Sequence, residues 1–199
     1  VAMKDLMFMM RMWTTMTKRL TKPIRAFHFL VLAFLMTLSS SVMAQNWQKG
    51  LDAFEAGDYA TALKEFRPLA EQGDADGLAF LARMYREGKG VLQDYAEAAK
   101  LFRLAAQQGD APTILPQLST TPMVIMAQFN LAHMYEEGKG VLQDNVMAHM
   151  WFNIASANGN EKSGEWRDEI ANKMTPAAIE KAQAMARECM RSGYTECGD

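Results

Sequence analysis

The heptapeptide Gly88–Asp94, GKGVLQD, is repeated without change at Gly138–Asp144. A second self-match pairs YATALKEFRPLAEQGDA, which starts at Tyr59, with YAEAAKLFRLAAQQGDA, which starts at Tyr95. Seven consecutive identities do not arise by chance in a chain of 199 residues. Because self-similarity at a spacing of about 20–50 residues is the signature of repeat architectures, the sequence predicts a stack of internal repeats.

Apolar residues lie at helical spacing on both sides of this heptapeptide. Leu81, Ala82 and Tyr85 precede it at i, i+1 and i+4, and their counterparts before the second copy keep the same spacing. Ala98 and Phe102 follow it at i and i+4, in a stripe of helical period. Each unit is therefore predicted to be a pair of helices. Since one pair cannot bury its apolar face alone, the pairs must stack.

The heptapeptide itself has the composition of a loop between two helices. Gly88 is predicted to take a positive φ and end the first helix, and Val91 to tuck the loop into the core. Asp94 immediately precedes the second helix and is predicted to be its N-cap, and with Glu97 it forms a capping-box pattern. The second copy, 138–144, is predicted to act in the same way.

These features resemble the Sel-1-like repeats, a branch of the tetratricopeptide superfamily. The family pattern is a Leu-Gly/Ala-x-x-Tyr helix, a G-x-G-V-x-x-D loop and an Ala-rich helix that ends in Ala-x-x-Gly. The resemblance implies an all-α fold: a right-handed α-α superhelix, or solenoid, of stacked helix-turn-helix repeats. We expect units at about 45–75, 76–110 and 126–160, and a C-terminal cap at 162–192 with a capping helix.

The spacing between the second and third units is longer than the spacing between the first and second, by about 14 residues. These residues fall in 112–126 (PTILPQLSTTPMVIM), which contains three prolines and no charge. Because proline resists helix continuation, this stretch is predicted to be an insertion. The end of the stretch, 124–126, either belongs to the insertion or begins the next helix. Ile114, Leu115 and Leu118 belong either to a surface loop without a role or to a segment that folds over the concave face or joins the partner-binding surface.

The N-terminal residues have the order of a secretory signal. A basic stretch without acidic residues leads into the apolar run FLVLAFLMTL at 29–38, and small residues follow up to Ala44. This order predicts a signal peptide at 1–44, of which 1–15 is extra if translation starts at Met16. An uncleaved anchor is the alternative, although the run is about half of the ~20 residues that a spanning helix needs. The predicted location is the bacterial periplasm or the exterior, with membrane contact only through the uncleaved signal peptide.

The sequence after the predicted signal is acidic, with 15 Lys and Arg residues against 22 Asp and Glu residues. An acidic surface repels phosphate backbones, so nucleic acid is not an expected partner. Cys189 and Cys197 are the only cysteines. In an oxidising compartment they can close a small loop as a disulfide, and two free thiols are the alternative.

Signatures of common catalytic and metal sites are missing from the sequence. Gly-x-Ser-x-Gly, Ser-x-x-Lys and His-Glu-x-x-His do not occur. His133 and His149 stand in different predicted helices, each without a second ligand at i+4. We therefore expect no catalytic residue, no cofactor and no metal, and a protein that is not an enzyme. The alternative is a cell-wall or β-lactam-acting hydrolase of the cysteine-rich secreted Sel-1-like type, although neither cysteine lies within a repeat.

In the tetratricopeptide arrangement that the resemblance implies, the first helices of successive units line a concave face. Aromatic anchors and charges on such a face suit an extended peptide or a helix, because rigid aromatic side chains and arginine dominate many interfaces. The expected function is that of an exported protein–protein interaction module, a repeat adaptor or regulator in the cell envelope. Its predicted partner-binding residues are Trp47, Leu51, Arg83, Arg86, Glu87, Phe129, His133, Glu136 and Glu137. For Trp47 and Phe129 the alternative is a place in the core, and for His133 it is a solvated surface position without a specific contact.

Overall fold

The structure, a computed structural model, describes residues 46–108 and 121–198. The predicted signal peptide lies outside these residues, and so do the three unassigned apolar residues of the predicted insertion. The described part of the chain forms eight helices and no strand, which confirms the all-α prediction, and none of these helices is long and apolar enough to cross a membrane. The helices are α1 (46–55), α2 (Tyr59–Glu71), α3 (Ala75–Glu87), α4 (Tyr95–Ala106), α5 (Pro122–Glu137), α6 (Asn145–Ala157), α7 (Glu161–Ala171) and α8 (Pro176–Arg191).

The loop of each full unit ends one helix and starts the next as predicted. Gly88 and Gly138 have φ angles of 67° and 68°, and each donates its backbone N–H to the carbonyl four residues earlier. Asp94 and Asp144 cap α4 and α6 by accepting backbone N–H bonds from the first turn of each helix. The predictions of positive φ and of the two N-caps are confirmed.

The loop also closes back on the helix that precedes it. The backbone N–H of Asp94 donates to the carbonyl of Tyr85 at 3.0 Å, and the second loop repeats this bond. Because this N–H is occupied, the capping box predicted between Asp94 and Glu97 is only half formed. Asp94 accepts from the Glu97 N–H, but the Glu97 carboxylate pairs with Lys100 at 3.2 Å.

The helix pairs stack around a continuous core in which α5 is central. α3 packs on α4 and α5 on α6, and α5 also contacts both helices of the preceding unit. Alanines such as Ala82 and Ala132 are fully buried at these contacts, where short side chains let the helices approach closely. Phe102, Trp151 and Phe152 fill the remaining space and are at most 1% exposed.

Each loop contacts the preceding unit through its second glycine. Gly90 lies against the backbone of Tyr59, the first residue of α2, and Gly140 lies against Tyr95, the first residue of α4. A Cβ on Gly90 would be 2.8 Å from the Tyr59 carbonyl oxygen, and one on Gly140 would be 2.0 Å from that of Tyr95. The lysine between the two glycines places its Nζ 5.3 or 5.8 Å from the centroid of the same tyrosine ring. We term this repeated contact the loop–tyrosine joint.

The third unit begins earlier in the chain than the predicted insertion boundary allows. Thr121 caps α5 and Pro122 opens it, a position that proline tolerates because its missing N–H would have no partner there. Val124 is already buried, at 2% exposure. Residues 124–126 therefore begin the next helix, which was the alternative for them, and 122 and 123 also belong to this helix rather than to the insertion; it is longer than α3 (16 residues against 13). The Thr121 hydroxyl donates to Asp76 at 2.9 Å and so connects the starts of α5 and α3.

Two helices follow the last repeat and cover it. Both α7 and α8 pack on α6. A disulfide joins Cys189 in α8 to Cys197 near the end of the chain, and both cysteines are buried. The loop that it closes holds Tyr194, which is 2% exposed and has a φ of 65°.

The C-terminal loop is connected to the repeats by a chain of hydrogen bonds. The side-chain amide of Asn158, at the end of α6, lies 2.9 Å from the Tyr194 hydroxyl and donates to the Gln128 side chain at 2.9 Å. Gln128 is fully buried and donates to the carbonyl of Ala106, the last residue of α4, at 3.3 Å. The buried side-chain amide of Gln128 in α5 is thus satisfied by one partner in the preceding unit and one at the end of its own unit.

Candidate functional site

A groove of about 630 Å³ lies along the first helices of the two full units and of the cap, which are α3, α5 and α7. It is called the groove below. Most of its lining comes from α5, and α3 and α7 contribute one side chain each. Two further residues come from the second loop–tyrosine joint. The lining residues are Arg86, Tyr95, Phe129, Asn130, His133, Met134, Glu137, Lys139 and Trp166.

Four aromatic rings meet where α7 borders the groove. The His133 ring packs edge-on against Phe129 and Trp166, with 4.6 Å between centroids in each case, and against Phe152 at 4.9 Å. Phe152 belongs to the core, whereas the other three rings are half-buried. His133 Nδ1 lies 3.2 Å from a carboxylate oxygen of Glu136, which orients the imidazole. Edge-to-face packing of this kind gives a rigid aromatic surface.

Three cations surround one carboxylate at the C-terminal end of α3. Glu87 Oε1 accepts from Arg83 Nε and Arg86 Nη2, both at 2.9 Å, and Glu87 Oε2 lies 2.9 Å from Lys89 Nζ. Burial would raise the pKa of Glu87, but the hydrogen bonds from the three cations outweigh it and lower the pKa to about 2. Glu87 is therefore ionised at neutral pH, and the group keeps two positive charges in excess.

Arg86 connects this charged group to α5. Its Nη1 donates to the side-chain oxygen of Asn130, whose amide nitrogen donates to the Met126 carbonyl at 2.8 Å. The guanidinium also lies 5.8 Å from the centroid of the Phe102 ring. These contacts hold the guanidinium in one orientation while 31% of the side chain stays exposed. The groove thus contains a positive charge on a fixed support.

Four of the nine predicted partner-binding residues line the groove: Arg86, Phe129, His133 and Glu137. Glu136 lines an adjoining recess of about 320 Å³, where its other carboxylate oxygen is 3.5 Å from Lys173 Nζ. Arg83 and Glu87 do not line the groove, but they hold Arg86 in the charged group described above. The structure therefore brings these residues of α3 and α5 together.

Trp47 and Leu51 lie apart from the other predicted residues. The Trp47 ring is 5.4 Å from the Phe66 ring and 5.0 Å from the Phe80 ring, centroid to centroid. Both residues pack on the N-terminal core formed by α1, α2 and α3. The reason is that α1 turns these side chains towards α2 and α3, where they close the N-terminal core.

Five lining residues were not predicted from the sequence: Tyr95, Asn130, Met134, Lys139 and Trp166. Trp166 had a usable signal, because it and Ile170 are a large apolar pair at i and i+4 in a helix that is otherwise polar. Tyr95 and Lys139 reach the groove only because a loop of one unit meets a helix of another. Their position depends on how the units stack.

His133 and His149 do not share a site. His149 is 2% exposed in α6, and its burial lowers its pKa, an effect that the nearby charge of Arg167 reinforces. Within 46–108 and 121–198, no three His, Cys, Asp or Glu side chains are grouped so that they could hold a metal ion. The lining of the groove offers aromatic surface, charge and hydrogen-bonding groups.

Comparisons with known proteins agree with this architecture. The Sel1 repeat family matches residues 75–110 and 125–160, which contain α3–α4 and α5–α6. A protective antigen present in uropathogenic Escherichia coli strains, whose crystal structure displays an SLR fold, is 26% identical with a TM-score of 0.65 over 76% of this chain. This chain spans 31% of that protein.

A Sel1 repeat protein from Oxalobacter formigenes is also 26% identical, with a TM-score of 0.52 over 70% of this chain and 97% of its own. No curated protein sequence matches this chain significantly. The similarity to two solved Sel1-repeat structures confirms the repeat superhelix, and proteins of this kind mediate protein–protein interactions. The chain therefore contains two Sel1 repeats, α3–α4 and α5–α6, and is similar in fold to Sel1-repeat proteins of known structure.

Proposed function

We propose that this protein is an exported interaction module that binds a protein partner in the groove and acts as a repeat adaptor or regulator in the bacterial cell envelope. The observation that carries the proposal is the composition of the groove. It combines partly buried aromatic rings, Phe129 and Trp166, with an oriented guanidinium, Arg86. Aromatic residues and arginine are the residue types that supply most of the binding energy at protein interfaces.

The groove is also ordered before any partner arrives. Ring contacts hold Phe129 and Trp166 against His133, and hydrogen bonds to Glu87 and Asn130 hold Arg86. Immobilising a side chain on binding costs about 0.5–1.5 kcal/mol, and side chains that are already fixed avoid most of this cost. A groove built in this way favours binding of a peptide segment over a passive structural role.

Two features support export. The N-terminal sequence has the basic, apolar and small-residue order of a signal peptide, 1–44. The disulfide between Cys189 and Cys197 is of the kind that persists in oxidising compartments such as the periplasm. Under this proposal the mature protein begins at Gln45, is released from cells by osmotic shock and carries the disulfide.

N-terminal sequencing of the protein recovered from each cell fraction tests export. Release of a chain that starts at Gln45 is the expected result. Recovery of the intact N-terminus in the membrane fraction would contradict cleavage and show that the protein is anchored to the membrane. Recovery of the intact chain in the cytoplasm would remove the envelope role altogether.

Capture of partners from a periplasmic extract, read by mass spectrometry, tests binding in the groove. The bait is the exported protein, compared with its Trp166→Ala variant and with a control, Leu92→Ser. Leu92 is 91% exposed in a loop and does not line the groove. We expect wild type and Leu92→Ser to capture the same protein and Trp166→Ala to lose at least about tenfold of it. Equal capture by all three, with equal circular-dichroism spectra, would place the binding surface elsewhere.

A further inference from the structure

We propose that the groove selects a peptide segment in which an acidic side chain lies about three residues from an aromatic one. The acidic side chain pairs with Arg86, and the aromatic one packs on Phe129 and Trp166. This inference rests on the proposed function and specifies the partner of the same site. It follows from the distribution of charge, from the position of the rings and from the spacing of the helices.

The charge at the C-terminal end of α3 is opposite to the charge of the protein as a whole. After the predicted signal, acidic residues outnumber basic ones by 22 to 15, but the group of Arg83, Arg86, Lys89 and Glu87 has three cations for one carboxylate. The cations are 31–34% exposed, so they are neither fully solvated nor neutralised. A carboxylate in the groove would offset one of the two excess positive charges of this group.

Arg86 has the donors for such a carboxylate. A guanidinium carries five N–H groups, and the contacts to Glu87 and Asn130 use one on each terminal nitrogen. The remaining donors belong to a side chain that lines the groove. A charge-assisted hydrogen bond to a preoriented arginine is about twice as strong as a neutral one. The second groove cation, Lys139, is 2.7 Å from Glu137 and is therefore already paired.

The aromatic part of the groove begins on the next first helix. Phe129 and His133 stand on α5, and Trp166 packs edge-on against His133. The Arg86 guanidinium already reaches Asn130 on α5, and side chains three residues apart on one helix, such as Asn130 and His133, lie about 5–6 Å apart. The Trp166 ring is a further 4.6 Å from the His133 ring, so Trp166 lies up to about 10 Å from the guanidinium. An extended peptide covers this distance in about three residues, at ~3.3 Å per residue. The spacing of acid and aromatic in the peptide follows from this geometry.

Fluorescence polarisation with labelled synthetic peptides tests the inference. The probes are Gly/Ser octapeptides that carry Glu and Trp three residues apart, in both orders, with matched versions in which Gln replaces Glu or Ser replaces Trp. A labelled single-stranded oligothymidine serves as a nucleic-acid probe. We expect one order of the Glu/Trp peptide to bind about tenfold more tightly than either matched version, with an affinity that falls as salt is added.

Protein variants assign the preference to Arg86. Arg86→Gln should bind the Glu and Gln peptides equally, whereas Arg67→Gln, a control at an exposed arginine of α2, should behave as wild type. Trp166→Ala should weaken both peptides by the same factor. If Arg86→Gln proves unfolded by circular dichroism, the comparison of Glu and Gln peptides on wild type at low and high salt decides the question alone.

Failure of this inference is distinguishable from failure of the proposed function. Equal binding of the Glu and Gln peptides, no binding of any peptide, or tighter binding of the oligothymidine than of the peptides would overturn the acidic–aromatic specificity. A partner captured from extract in a Trp166-dependent way would still support the groove as an interaction site. Capture that does not depend on Trp166 would contradict both the acidic–aromatic specificity and the groove as the interaction site.

Discussion

Replacing Gly140 by alanine is a direct test of the loop–tyrosine joint. Gly140 has a φ of 73°, a region that costs an L-residue about 1–2 kcal/mol. The added Cβ would also lie 2.0 Å from the carbonyl oxygen of Tyr95 and 2.3 Å from its carbonyl carbon. Because real Cβ contacts essentially never fall below 3.0 Å, the loop and the start of α4 would have to separate by roughly 1 Å. That displacement acts on the contact between two repeats.

The size of the effect can be graded with two other glycines. Overpacking of this kind costs about 1–3 kcal/mol, so Gly140→Ala should lose about 2–5 kcal/mol in its free energy of unfolding. At Gly90 the Cβ would lie 2.8 Å from the Tyr59 carbonyl oxygen, which requires a smaller shift. At Gly57 the φ is 80° but no atom lies within 4 Å of a Cβ, so only the backbone cost of about 1–2 kcal/mol applies.

Urea denaturation followed by circular dichroism measures these losses, and thermal melting provides a second reading. For a domain of this size each kcal/mol lowers the melting temperature by about 2–4 °C. We expect destabilisation to increase from Gly57→Ala through Gly90→Ala to Gly140→Ala. If Gly140→Ala loses no more stability than Gly57→Ala, the close approach between loop and tyrosine backbone does not exist and the reasoning is refuted.

Replacing Cys189 and Cys197 together by serine should lower the free energy of unfolding by about 2.5 kcal/mol, the chain entropy of a closed loop of this length, in the same urea assay. A loss below about 1 kcal/mol would show that packing alone holds the C-terminus. Tyr194→Phe removes the hydroxyl that bonds to Asn158 and should cost about 1 kcal/mol without changing the helical spectrum. Burial lowers the pKa of His149 in the folded chain, so below pH 6.5 this histidine is protonated more readily in the unfolded chain than in the folded one. The free energy of unfolding of the wild type should therefore fall as the pH drops below 6.5. His149→Leu should reduce this slope in urea titrations at several pH values, and an unchanged slope would assign it to other groups.

The repeats could be predicted from the sequence because their determinants are local. A glycine such as Gly88 ends a helix through its own φ, and Asp94 caps the next helix within three residues. Identical loops therefore predict identical turns wherever they occur. The half-formed capping box was not predictable in this way. The Asp94 N–H that Glu97 would have bonded donates instead to the carbonyl of Tyr85 in the preceding helix, and this bond forms only when the loop folds back on that helix.

The groove was only partly predictable because it depends on stacking. Helix phase placed Arg86, Phe129 and His133 on one face, and the structure brings them together. The same reasoning put Trp47 on that face, but its ring packs on Phe66 and Phe80 in the opening unit. A periodic sequence shows which side chains face inward, but whether they face a neighbour or an open groove depends on which helix packs next to them.

The loop–tyrosine joint has a consequence for the two ends of the stack. It joins two unlike surfaces in a head-to-tail manner, and contacts of this type place no limit on the number of units that can be added. In the described residues each end lacks one half of it. The turn of the opening unit, 56–58, has no glycine-lysine-glycine, and the last repeat begins its second helix with Asn145 where the others have tyrosine. Among the described residues, the loop–tyrosine joint is therefore complete only between successive units, and neither end of the stack carries the residues that would repeat it with one more unit.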